Sequence, residues 1–482
     1  MAIKQKIVNY FPFTPTESQA KVMQQLEDFL SYSAPHAFFI LRGYAGTGKS
    51  TLVGAFARMV DDLGIEVRLL APTGRAAKVL QGYCGLPAGT IHRMIYRERI
   101  GAGGVSAYEL GYNKAKEGIL YIVDEASMIS NVPEGQTTFG SGCLLDDLME
   151  YCCNVPGSKI LFVGDDAQLP PVGTTLSPAL SEQYLGGYGY PLFSSALTDI
   201  VRQESAGEIV LTSYELRTLI LKLANDHPWV EPLLSPPASG GEITIINGRD
   251  LPAYMEDSFG KVGEEETVLV TRSNRDAEGF NRAIRHQSLY YEGEVLPGEQ
   301  VMAVRNNYLH FPTDPEGKPA GSFVANGELL RVISSRNEQK LYGFTFRDVE
   351  LEDSEGGFVD AKVMLDSLYS GAASLTAEQR QALFDAVCED YPECTSRRAL
   401  FQKLRKDPYL NALQIKYAYA MTVHKAQGGQ WRHVYLSFGY LTPEMIDLSF
   451  CRWLYTAITR ASEHLYIINP PEFIFGRLDE YL

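Results

Sequence analysis

Three short stretches of the chain carry residue types whose spacing suits phosphoryl chemistry. In AFFILRGYAGTGKSTLVGAFARMV, Ala37 to Val60, an apolar run enters a turn of the form G-x-x-x-x-G-K-[ST], with Gly43, Gly48, Lys49 and Ser50 at the specified positions. Glycines let such a backbone curl, so that the N–H groups along Ala45, Gly46, Thr47, Gly48 and Thr51 converge on phosphate oxygens. The helix start behind the turn adds partial positive charge. Lys49 is placed to reach the β- and γ-phosphates of ATP, and Ser50 to hold Mg2+. ILYIVDEASM, Ile119 to Met128, brings an apolar strand to Asp124 and Glu125. There Asp124 suits a water-bridged Mg2+ and Glu125 suits the attacking water. KILFVGDDAQLPPVG, Lys159 to Gly173, carries Gln168 at a third strand tip, where an amide can sense the γ-phosphate. Pro170 and Pro171 stiffen the loop that follows.

These residues need a scaffold that ends several strands at one edge. Parallel strands of an α/β sheet do so, and ligands bind outside their carboxyl ends. Alternating apolar strands and amphipathic helices fill the chain from about Glu17 to Arg202, with one interruption. YRERIGAGGVSAYELGYNKAKEG, Tyr96 to Gly118, has a turn signal at its centre between two short polar–apolar runs. PWVEPLLSPPASGGEI, Pro228 to Ile243, reads as a loop, and Thr267 to Leu289 as strand then helix. From Gly298 to about Met364 short alternating runs separated by turns such as Asn326-Gly327 predict a small β-barrel. Thr376 to Pro408 is charged and helical in period. The last stretch, through TVHKAQGGQ (Thr422 to Gln430) and LYTAITRA (Leu454 to Ala461), returns to α/β.

Bulk properties narrow the class. The chain has 482 residues, 45% of them hydrophobic, enough for two or more domains. No apolar run approaches the ~18 residues of a membrane span. The N-terminal stretch lacks the apolar core of a signal peptide, so a cytoplasmic location is expected. Seven cysteines without a C-x-x-C pair predict reduced thiols. The net charge of −16 argues against nucleic acid on average, but a basic channel can sit in an acidic protein.

The ordered set FTPTESQ, the P-loop, APTGRAAKVL, TIHRMI, DEASM, GDDAQLPPVG, LTDIVRQ, VLVTRSN, TVHKAQGGQ and LYTAITRA resembles superfamily 1B helicases of the RecD-like and Dda-like group, related to the Pif family. The resemblance implies an α/β fold with two RecA-like P-loop domains, a β-hairpin pin insertion, and an SH3-like β-barrel plus helical insertion. The helical segment is similar to the "tower" of Dda-type enzymes. The implied division is 1–95 and 119–200 for the first RecA-like domain, 96–118 for the pin, 201–297 and 412–482 for the second RecA-like domain, and 298–411 for the barrel with its insertion. The implied activity is ATP-dependent 5′ to 3′ translocation on single-stranded DNA with duplex unwinding.

Residue by residue, the resemblance implies that Gln19 reads adenine and that Arg202 and Arg460 are arginine fingers. Gln427 and Gly428 would lie toward the nucleotide. Pro72, Thr73, Arg75, Lys78, Thr90, His92 and Pro171 in the first half would line the DNA path. In the second half Thr271, Asn274, Arg275, Thr422, His424 and Lys425 would do so. Tyr96 or Tyr108 would stack on a base near the duplex junction. Ala426 departs from the family, where serine is frequent, so a hydroxyl contact is lost there. Implied ligands are ATP, Mg2+, single-stranded DNA and duplex junctions. A single-strand-binding or recombination protein is the implied protein partner, and the motor is expected to act as a monomer without a membrane. Rival readings are a P-loop ATPase that switches or assembles without unwinding, a degenerate scaffold, and a nuclease, for which no further acidic cluster is seen. RNA or a G-quadruplex stays open as the track.

Overall fold

The computed structural model describes residues 6–100, 106–115, 118–132, 140–199, 207–305, 307, 324, 326–353, 356–370, 374–394, 396–404 and 406–476. Arg202 and the turn at 101–105 lie outside them. The chain divides into two compact units: Met1–Arg99, Ala107–Trp229 and Ile446–Thr459 form unit one, and Ile100–Ser106, Val230–Met445 and Arg460–Leu482 form unit two. Unit one therefore runs past the division expected near residue 200 and takes in 446–459. Within it, the helix Glu208–Ala224 packs on the helix Leu448–Ile458.

Unit one is built on β1 (Ala37–Gly43), β2 (Val67–Ala71), β3 (Ala88–Thr90), β6 (Leu120–Val123), β7 (Lys159–Gly164) and β8 (Leu192–Leu197), with a separate two-stranded pair, β4 (Tyr96–Ile100) and β5 (Ser106–Leu110). The order is β3-β2-β6-β7-β1-β8, and all pairings in the six-stranded sheet are parallel. β1, β6 and β7 are buried along almost their whole length, as parallel strands covered on both faces must be. The helix Lys49–Asp62 contributes Leu52, Val53, Phe56, Met59 and Val60 to one side of the core. The helix Glu17–Ser31 starts at a capping box, in which Thr16 and Gln19 each accept the other's backbone N–H.

Unit two holds a second parallel sheet, from β9 (Ile243–Ile246), β10 (Thr267–Thr271), β16 (Ala420–Thr422), β17 (Trp431–Ser437) and β18 (Ala461–Ile468), in the order β16-β10-β17-β18-β9. A closed barrel joins it, made of β11 (Gln300–Ala303), β12 (Leu329–Leu341), β13 (Phe344–Asp353), β14 (Phe358–Met364) and β15 (Leu413–Tyr417). The alternation up to Met364 marks four of these strands. The fifth, β15, arrives after the helices Ala377–Cys388 and Arg397–Leu404. It closes the barrel by pairing antiparallel to β11, with Met302 opposite Lys416, and parallel to β14. The helical insertion packs back on the barrel through Leu383, Val387 and Leu404 against Phe346 and Met364. All seven cysteines are free. No helix among the described residues is long and apolar enough to cross a membrane.

Candidate nucleotide site and phosphate cleft

The P-loop turn leaves β1 with Gly46 at φ 79° and Gly48 at φ 75°. These left-handed angles strain any residue with a Cβ, and they turn the backbone into the helix that begins at Lys49. The Lys49 ammonium donates to the Gly43 carbonyl at 3.0 Å. Thr47 is fully buried, its hydroxyl on the Tyr44 carbonyl at 2.9 Å. Gln19 is buried beside the loop. Its Oε1 accepts from Thr16 N at 3.0 Å and its Nε2 donates to the Thr47 carbonyl at 2.9 Å. One end of this amide thus closes the helix cap and the other braces the loop. Ser50 and Thr51 open the helix, half-buried.

Neighbouring strand ends bring in the acids. Asp124 and Glu125 follow β6, and Glu125 sits at φ 50° with its N–H on Asp124 Oδ1 at 2.9 Å. Burial and then the Glu125 charge raise the Asp124 carboxyl above its ordinary range, with Lys49 pulling the other way. Gln168, after β7, is buried and its Oε1 has no partner among the described residues. A Ser50 hydroxyl and an Asp124 carboxylate are the hard oxygen donors that Mg2+ takes. An orphaned buried acceptor such as Gln168 Oε1 is expected where a ligand or its water belongs. The donor set therefore fits a magnesium–nucleotide.

Five side chains at this site went unread in the sequence. The Tyr455 hydroxyl donates to Asp165 Oδ2 at 2.6 Å and accepts the Ala45 N–H at 3.2 Å. It thereby ties the P-loop to the tip of β7. Burial pushes the Asp165 carboxyl up to about 6, opposed by Lys49 and by the Tyr455 hydrogen bond. Beside it, Leu169 N donates to Thr456 Oγ1 at 2.9 Å. Burial and then the Asp124 charge raise the Tyr83 hydroxyl, with Ser50 pulling the other way. Arg217 lays its guanidinium over the Tyr44 ring. Tyr455 and Asp165 both lie in quoted motifs, but they are 290 residues apart, and no local pattern pairs them.

The other first-half residues divide in two. Thr73 and Thr90 cap helices, accepting from Ala76 N at 3.2 Å and Arg93 N at 3.3 Å. Pro72 and Arg75 are half-buried nearby, and Lys78 is exposed. His92 is lowered to about 4 by burial, so its ring is neutral near pH 7. Tyr96 and Tyr108 depart from the expectation of a free stacking face. They are only 6% and 7% exposed, and the Tyr96 hydroxyl donates to the buried Asp147 at 2.6 Å. The Tyr96 hydroxyl thereby anchors the hairpin base to the helix Leu144–Cys153. Pro171 is buried, with its carbonyl accepting from Thr174 N at 3.1 Å and Oγ1 at 2.8 Å.

In unit two, Asn274, Thr422 and Lys425 line one cleft, together with Arg282, Tyr369 and Lys416. It lies where the parallel sheet meets the barrel. Lys425 has no carboxylate or hydrogen-bond partner among the described residues. Burial, and then the Lys416 charge, lower its ammonium to about 8. The Lys416 ammonium donates to the Ser370 carbonyl, and Arg282 lies over the Tyr369 ring at 5.0 Å. Lys416 was missed because it lies in β15, where the pattern signals only a strand, and Tyr369 because it ends the short 3-10 helix Leu365–Tyr369 after β14. Arg275 and His424 are exposed. Thr271, opposite Thr422 in the sheet, is fully buried with an unpartnered hydroxyl among the described residues. Gln427 is buried and Gly428 has φ 77°. Arg460 is buried with Nη1 on the Gly429 carbonyl at 3.0 Å.

A P-loop with strand-end acids on one parallel sheet, and a second parallel sheet bearing a barrel, define a P-loop NTPase of the two-sheet type. Two family models match the chain: an AAA domain over residues 15–228 and a UvrD-like helicase C-terminal domain over 417–468. The ATP-dependent RecD2 DNA helicase of Deinococcus radiodurans is 26% identical over 94% of this chain and 48% of its own length. The ATP-dependent DNA helicase Dda of Enterobacteria phage T4 is 23% identical over 61% of this chain and 62% of its own. The Pif1 helicase structure from Candida albicans aligns over 96% of this chain and 97% of that one, at 14% identity and a TM-score of 0.46. The chain is similar to helicases of the RecD/Pif/Dda-like group. It spans about half the length of the RecD2 relative.

Proposed function

We propose that this chain is an ATP-dependent DNA helicase that moves 5′ to 3′ on single-stranded DNA and unwinds duplex. The observation that carries the proposal is the pairing of two unlike ligand sites on two parallel sheets. One is a P-loop facing strand-end acids; the other is a cleft in which Arg282, Lys416 and Lys425, with hydroxyls and amides, outnumber one carboxylate, Glu278, which is ion-paired to Arg282. Kinship with RecD2 and Dda, both named as ATP-dependent DNA helicases, supports it.

In the nucleotide site Ser50 and Asp124 would hold Mg2+, which supplies charge neutralisation at the phosphates. Lys49 binds the phosphate chain, Glu125 orients and deprotonates water, and Gln168 holds that water or the terminal phosphate through its open acceptor. Arg202 and Arg460 are proposed as the cations that stabilise the charge developed in hydrolysis. In the second unit Lys425, Asn274 and Thr422 hold backbone phosphates, contacts that carry no sequence information and so suit a stepping motor. The β4–β5 pair is proposed as the pin, the barrel as an SH3-like cover of the DNA path, and the two parallel-sheet regions as the RecA-like domains.

The test is nucleotide turnover with and without single-stranded DNA, followed by unwinding of duplexes carrying 5′ or 3′ tails. We expect stimulation by DNA and unwinding from 5′ tails. Turnover indifferent to DNA would favour a P-loop switch and remove the motor, and unwinding from 3′ tails alone would reverse the polarity. Replacing Ile100–Val105 by a short Gly-Ser turn should spare DNA-stimulated turnover and abolish unwinding. Retained unwinding would remove the pin.

A further inference from the structure

The helix Glu208–Ala224 buries Ile209, Thr212, Ser213, Leu216 and Ile220 on one face. Arg217, one turn beyond Ser213, lies on that same face and is only 9% exposed. A cation in an apolar stripe needs an explanation, because a buried charge without a counter-ion costs several kcal/mol. Among the described residues none hydrogen-bonds or ion-pairs with this guanidinium, and its Nη1 is buried without a partner. The Tyr44 ring beneath it offsets part of the cost, since a desolvated cation–π contact contributes about 2 kcal/mol.

The surroundings say what kind of group is missing. Tyr44 is the first residue of the P-loop turn after Gly43. Tyr455, whose field Arg217 feels, takes the Ala45 N–H and donates to Asp165. Asp165 in turn feels Lys49, the lysine whose counterpart in P-loops reaches the β- and γ-phosphates. Arg217 therefore stands on the tyrosine of the P-loop turn, in the field of the hydroxyl that accepts the Ala45 N–H. A fork of N–H donors with a free arm is suited to a phosphate oxygen.

We propose that Arg217 binds the terminal phosphate of a nucleoside triphosphate, as a phosphate-reading arginine supplied by the same unit that carries the P-loop. The inference rests on the nucleotide-site reading above. Without triphosphate the guanidinium rests on Tyr44. With it, the unpartnered Nη1 gains an anion, and a diphosphate offers none at that place.

Fluorescent-nucleotide titrations of wild type, Arg217→Gln and Arg217→Lys with ATP, ADP and AMP analogues, in the absence of DNA, test this. We expect Arg217→Gln to cut the ratio of triphosphate to diphosphate affinity by about tenfold or more, and Arg217→Lys to restore part of it. An unchanged ratio in Arg217→Gln overturns the proposal, whether both affinities fall together through a loosened P-loop or neither moves. If thermal melting shows that Arg217→Gln does not fold, Arg217→Lys decides. It keeps the charge and loses the fork, so a ratio equal to wild type overturns the proposal and a reduced one supports it. A wild-type chain that binds none of the three nucleotides would instead remove the nucleotide site itself.

Discussion

Lys49 and Lys425 hold comparable places in two sheets. Each follows the carboxyl end of a parallel strand, within a helix that starts there. Their surroundings are opposite. Lys49 faces Asp124 and Asp165 across the strand ends, and it lowers carboxyl groups that burial would otherwise raise further. Lys425 faces Lys416 and no carboxylate partner, and burial brings its own ammonium down to about 8. Under the proposed function the same crevice architecture would serve two kinds of phosphate chemistry. Acids beside a lysine suit a metal-bound phosphate chain that is to be cleaved. A cleft whose cations outnumber its one carboxylate, the ion-paired Glu278, suits a phosphate that is only to be held.

This contrast also meets the objection raised by the net charge of −16. Affinity for a polyanion depends on the local field within about a Debye length, and the cleft of Arg282, Lys416 and Lys425 is basic whatever the far surface carries. The acidic balance elsewhere discourages indiscriminate binding to nucleic acid outside the cleft.

The contrast can be broken most forcefully at Lys49. Lys49→Ala should lower nucleotide turnover by about 10²-fold or more, while single-strand affinity measured without nucleotide by fluorescence anisotropy stays within about twofold. Loss of DNA affinity in this variant would mean that the two sites are not separate. At the other lysine, Lys425→Ala should weaken single-strand affinity about tenfold, roughly 1.4 kcal/mol. It should also reduce the salt slope by about one; an unchanged slope would remove Lys425 from the phosphate contacts.

The acidity of Lys425 gives a finer test. Phosphate binding needs its charged form, and a free-cleft value of about 8 means that the charge is lost as pH rises through 8. Single-strand affinity should therefore be flat below pH 7 and fall up to about tenfold per unit above 8. Lys425→Arg, which stays charged, should bind with little change up to pH 9.5. The smallest effect concerns Thr271, fully buried with an unpartnered hydroxyl among the described residues. Thr271→Val should raise unfolding stability by roughly 1 kcal/mol, read by urea denaturation, and leave DNA affinity intact. A fall in affinity would show that this hydroxyl turns out to meet a phosphate.

The sequence by itself determined the local machinery. Gly46 and Gly48 adopt the left-handed angles that the G-x-x-x-x-G-K-S spacing calls for, and Thr73, Thr90 and Thr16 cap the helices they precede. Runs of apolar residues became the buried parallel strands that end at Gly43, Val123 and Gly164, just before the acids and Gln168. Such features depend on dihedral preferences and hydrogen bonds among near neighbours, and a pattern of a dozen residues contains them. Tertiary structure alone decided which groups are desolvated and which meet. It buried the rings of Tyr96 and Tyr108 at a hairpin base where sequence allowed a stacking face. It closed the barrel with a strand delayed by two helices. It joined Tyr455 to Asp165 across 290 residues and laid Arg217 on the P-loop tyrosine. Burial and charge coupling are sums over everything packed around a group, so the acidities of Asp165, His92 and Lys425 belong to the fold and not to any stretch of the chain.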